Sequence, residues 1–96
     1  MKILATIDVV AGADLAALRQ KLADEVKGSW SLFTAGFLRE AYATTTPTRV
    51  VFVLEAESRS EADEKLRALP LIAAGLVRVE LTELRPFVNW SLLFAP

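Results

Sequence analysis

The sequence predicts an α+β domain whose elements follow in the order β-α-β-β-α-β. Three observations carry this. Four short runs, at residues 2–9, 37–45, 49–56 and 76–84, are apolar or alternating and bounded by Gly, Pro or Thr clusters, as strands are. Two stretches between them carry apolar residues at helical spacing behind recognisable caps. The second and third strands are separated only by a short Thr- and Pro-rich loop, which fits an antiparallel hairpin.

The first strand places Ile3, Ala5, Ile7 and Val9 on one side and Lys2, Leu4, Thr6 and Asp8 on the other. Asp8 ends it, and a turn-closing role is the plain reading of that carboxylate. Asp14 is a helix N-cap candidate. Behind it Leu15, Leu18, Leu22 and Val26 form an apolar stripe that Trp30 and Phe33 continue. Gly28 lies inside this pattern and weakens it, which leaves a kink or break open there, and Gly36 suits the left-handed position that ends many helices. The second strand alternates Phe37, Arg39, Ala41 and Ala43 against Leu38, Glu40, Tyr42 and Thr44. Pro47 belongs to the connection. The third strand is apolar on both sides through Val50, Val51, Phe52, Val53 and Leu54.

Ser58-Arg59-Ser60-Glu61 fits a capping box. The helix it opens buries Ala62, Leu66 and Leu69 and must end near Pro70. The last strand sets Val77, Val79 and Leu81 against Arg78, Glu80 and Thr82, and an aromatic tail, residues 86–96, follows. This order is the ferredoxin-like arrangement, a four-stranded antiparallel sheet with two helices on one face. The third strand needs cover on its other side too, so pairing of two open sheet faces across a two-fold axis is expected, giving a dimeric α+β barrel.

Composition narrows the function classes. The 96 residues make one domain, 1–96, with 53% apolar residues and a net charge of −1. Mixed charge gives no basic footprint for nucleic acid. Cysteine and histidine are absent, so a thiolate nucleophile, the usual zinc sites and the commonest general base are excluded, and no metal or cofactor is expected. The apolar start is too short for a signal peptide or a membrane span, and a cytoplasmic protein is expected. So high an apolar fraction in a small chain also predicts contact with a second subunit, as a homodimer or a larger assembly of dimers.

The segments GFLREAY (36–42), VFVLEAES (51–58) and LPLIAAGLVRVELTELRPF (69–87) resemble the muconolactone delta-isomerase-like group of dimeric α+β barrel proteins, and the related YCII-like proteins share the plan. Trp30 and Trp90 are in keeping with it. The resemblance implies a small-molecule-binding protein that forms dimers, and an isomerase that moves a proton in a lactone or enone without a cofactor. YCII-like proteins have been associated with a His/Asp pair, which a chain without histidine cannot provide. Cofactor-independent oxygenation of polycyclic aromatics, seen in related barrels, is the alternative chemistry. A non-catalytic binding or oligomerisation module is the third reading.

Proton transfer beside a carbonyl needs a base of raised pKa in a dry pocket, near a donor for the developing oxyanion. Glu40 and Tyr42, two apart on a strand and about 7 Å from each other at their bases, are the first choice as base and donor, with Arg39 as electrostatic support. Pairing of Glu40 with a neighbouring arginine is the plain alternative. Arg39 and Arg78 could fork an anionic ligand or pair across strands with Glu55 or Glu80. Trp30, Phe33, Phe52 and Trp90 are candidate walls of an apolar ligand pocket, or simply core. The tail cannot bury Phe87, Trp90 and Phe94 by itself. It is expected to pack on a partner subunit or to cover a pocket mouth.

Overall fold

The computed structural model describes residues 1–95. Strand β1 (Lys2–Val9) lies inside a four-stranded sheet, flanked by β3 (Val50–Glu55) and β4 (Val77–Leu84), with β2 (Leu38–Ala43) at the far edge beside β3. Every neighbouring pair is antiparallel. Helices α2 (Arg59–Arg67) and α3 (Pro70–Ala73) complete the core, α1 (Leu15–Thr34) packs beside them through Leu18 and Leu32, and a 3₁₀ segment, Val88–Phe94, lies near the end of the described chain.

The caps act locally as their residue types require. Asp14 Oδ1 accepts from the N–H groups of Ala16 and Ala17, at 3.0 and 3.2 Å. Ser58 Oγ accepts from Glu61 N–H at 3.0 Å. α1 ends in a Schellman motif, in which Phe37 N–H bonds Leu32 O and Gly36 N–H bonds Phe33 O, with Gly36 at φ 83°. Pro70 ends one helix and begins another, occupying the first turn of α3, where its missing N–H costs nothing.

Ile3, Ala5 and Ile7 of β1 and Phe52 and Leu54 of β3 form the sheet's side of the core, packed with Ala62 and Leu66 of α2 and with Leu69 and Leu71. Register confirms which residues share that face: Ala5 stands opposite both Phe52 and Leu81. Among the described residues the core holds no polar or charged side chain. The other, open face has only Leu4, Val51 and Val53 at its centre, each half-buried. Charges surround them.

Three features go beyond what residue spacing alone gives. α1 runs unbroken through Gly28. That glycine serves packing: a Cβ built on it would stand 2.7 Å from Leu69 Cδ2. In β2 the register steps from Leu38↔Leu54 to Glu40↔Val53, so Arg39 is the extra residue of a bulge and Leu38 turns to the core side with Ala41 and Ala43. The stripe of α1 is not core. None of its residues is fully buried, only Leu18 and Leu32 pack against the core, and Trp30 remains 63% exposed. Among the described residues no helix is long and apolar enough to cross a membrane.

Candidate functional site

An apolar cleft of about 310 Å³ separates the inner side of α1 from the sheet. Its walls are Leu18, Leu22 and Val26 of the helix, its floor Ile7, Val50 and Phe52, and Leu71 and Val77 close one flank. A second hollow, between Trp30, Phe33, Leu38 and Ala41, shares Val26 and Ser29 with it, so the two adjoin along α1.

Glu25 is the acidic group in this cleft. Helical spacing places it among Leu18, Leu22, Ser29 and Leu32, on the inward side of α1. Its Oε1 accepts from the N–H of Leu71 at 2.8 Å, 46 residues along the chain. That donor belongs to the first turn of α3, so the carboxylate caps a neighbouring helix. Burial in apolar surroundings raises the carboxyl's pKa above the ordinary range, and the Leu71 hydrogen bond pulls against that rise. Arg49 stands at the mouth, held by Asp8 through a 2.8 Å contact from its Nε to Oδ1. Asp8 therefore forms an ion pair instead of closing a turn.

The residues selected from sequence do not meet at one site. Glu40 and Tyr42 do come together, with the phenol donating to Glu40 Oε1 at 2.6 Å. They lie on the open face, opposite Val53 and Val51, with Tyr42 58% exposed and no enclosing wall from the described residues of this chain. The bond and charge of Glu40 raise the phenol's pKa. Arg39 Nε donates to Gly36 O at 2.6 Å, tying down the bulge. Phe52 is buried on the opposite side of the sheet, in the cleft floor. Trp30 and Phe33, stacked at 5.3 Å, line the adjoining hollow. Arg78 is opposite Asp8 on the open face and borders a polar shelf with Arg59 and Asp63 beside α2. Trp90 lies in the tail, edge-on to Phe87 at 5.5 Å.

A ligand small enough for the cleft therefore reaches Phe52 but not Glu40 or Tyr42 of the same chain. Glu25 escaped the sequence reading, although a signal existed: it is a carboxylate three residues after Leu22 on an otherwise apolar stripe. The sequence matches no family model and no curated protein.

Proposed function

We propose that this chain binds a small apolar molecule in the cleft beneath α1 and transfers a proton on it, in the manner of a muconolactone-isomerase-like protein. The observation that supports this is Glu25, a half-buried carboxylate of raised pKa, anchored by a backbone N–H in an otherwise apolar cleft. A base of this kind suits removal of a proton beside a lactone or enone carbonyl and its return to another carbon, which moves the double bond without net loss of atoms. Arg49 at the mouth would steady negative charge developing on the carbonyl oxygen. The base thus moves from Glu40, the choice from sequence, to Glu25. The cleft is near the lower limit of small-molecule sites, about 300–1,000 Å³, which favours a compact ligand over a polycyclic one.

The same reading takes the chain as a ferredoxin-like protomer of a dimeric α+β barrel in the cytoplasm. The strand order β2-β3-β1-β4 and the apolar centre of the open face support it. The test is proton exchange. Lactones and cyclic enones are incubated with protein in D₂O, and loss of their α-proton signals is followed by NMR, with binding followed separately through Trp30 fluorescence in a Trp90→Phe background. Glu25→Gln should still bind and lose the exchange. Exchange that survives in Glu25→Gln, or ligands that leave cleft resonances unmoved, would overturn the proposal.

A further inference from the structure

The two edges of the sheet are not alike. β2 is six residues long and interrupted by the Arg39 bulge. β4 runs for eight residues with no Pro, Gly or Lys, and it follows β1 without a register shift. Such an edge is a template for a further strand, because half of its backbone groups have no partner in the sheet.

The ladder identifies those groups. Val10 N–H bonds Leu76 O, so Leu76, Arg78, Glu80 and Thr82 are the residues that exchange bonds with β1. The N–H and C=O groups of Val77, Val79 and Leu81 therefore point away from the sheet. Beside them is the polar shelf, an open hollow of about 700 Å³. It touches Arg78 and Glu80 on one face of β4, Val79 and Leu81 on the other, and Arg59 and Asp63 of α2. It thus wraps the outer edge and leaves room there for a strand.

We infer that β4 pairs antiparallel with β4 of a second copy, across a two-fold axis at Val79 perpendicular to the sheet, so that two four-stranded sheets become one. The side chains select this register. With Val79 opposite its own counterpart, Arg78 of each copy stands opposite Glu80 of the other, an attractive cross-strand pair made twice. On the helix-covered face Val77 meets Leu81, and Val79 meets Val79. The pairs at Val77, Val79 and Leu81 each exchange two backbone hydrogen bonds. The next register on either side keeps those bonds but sets Arg78 against Arg78, or Glu80 against Glu80, and like charges directly opposite destabilise. The charges on this edge therefore choose a partner instead of excluding one. An unrelated extended peptide would satisfy the backbone, but alternation of charge about a central valine is what a self-complementary two-fold contact requires. The contact uses the edge alone. It is independent of the Glu25 cleft and leaves both faces of the sheet as they are, so it adds to any pairing of open faces.

Amide exchange in D₂O, followed by NMR, reads the edge in the natural protein. The N–H groups of Val79 and Leu81 should exchange at least about 100-fold more slowly than those of an unfolded chain. Fast exchange there, with Arg78 and Glu80 still protected by β1, would overturn the inference. Disulfide formation reads the register. The chain has no cysteine, and Arg78 with the opposite Glu80 is a pair of the non-hydrogen-bonded kind, about 4.5 Å between Cα atoms, within disulfide reach. Arg78→Cys and Glu80→Cys are mixed under mild oxidation, each with its circular dichroism checked; the mixed pair also keeps one Glu80–Arg78 contact. The mixed disulfide should exceed either self-linked product about tenfold, through the high effective concentration of apposed thiols. Mixed product at or below the level of random pairing, or Glu80→Cys linking chiefly to itself, would refute it. Slow exchange at Val79 without the mixed disulfide would refute it too, since another strand would then cover the edge.

Discussion

Replacing Glu25 with alanine removes the acceptor for Leu71 N–H and leaves that donor beside a side chain only 6% exposed. An unpaired buried donor costs about 1–3 kcal/mol. The cleft is open to water on one side, so the lower part of that range applies, about 1–2 kcal/mol, or a fall of roughly 5–15 °C in Tm for a domain of this size. Glu25→Gln keeps an acceptor and removes the charge that burial disfavours, so at neutral pH it should match or exceed the natural protein. The pH dependence has a definite sign. The folded chain holds the Glu25 proton more tightly than the unfolded chain, whose carboxyl titrates near its ordinary value of 4.5. The resulting stabilisation is complete below that value and is lost as pH rises through the folded value. Urea unfolding followed by circular dichroism at pH 4 and pH 7 measures both effects. Comparison with Glu25→Gln cancels the other carboxylates. The natural protein should lose ground to the glutamine variant as pH rises. Equal stability of Glu25→Ala and the natural protein at both pH values, or a difference that grows the other way, would refute the capping and burial assigned to Glu25.

Tyr42 is the only tyrosine, so alkaline absorbance titration reads its phenol directly. Its midpoint should lie above the ordinary 10.0 and fall back in Glu40→Gln; an unchanged midpoint would show that the 2.6 Å bond does not persist in solution. Gly28→Val should destabilise by about 1–3 kcal/mol through crowding of Leu69, although valine has the better helix propensity. A urea midpoint at or above that of the natural protein would mean that Leu69 moves aside freely.

What the sequence makes legible here is what depends on near neighbours. Asp14, Ser58 and Gly36 act on backbone groups within a few residues, and their positions follow from residue type alone. Strand alternation in β1 and β4 is equally local. The misread features depend on distant chain. Gly28 is small because Leu69 crosses α1 there. Glu25 has meaning only beside Leu71. The bulge at Arg39 is a single-residue slip, and a slip of one reverses a strand's faces, which is why plain alternation groups Leu38 with Glu40 and Tyr42. The stripe of α1 is apolar, as its spacing says, but not buried, because periodicity reports which side of a helix is oily and not what covers it.

That distinction bears on how two copies would meet. A dimer built on the open sheet alone would enclose the Glu40–Tyr42 pair, the Asp8–Arg49 ion pair, Arg78 and Glu80, around only three half-buried aliphatic residues. Desolvating such groups consumes much of what their mutual attraction returns. Most of the exposed apolar surface is elsewhere, on Trp30, Phe33 and the tail. Affinity would then have to come from that apolar surface, while the polar rows of the sheet would fix orientation and register, as charged and polar rims do at interfaces generally. The two contributions separate experimentally: removing Trp90 should change how tightly two chains hold, whereas neutralising Arg78 or Glu80 should chiefly alter the salt dependence of their association.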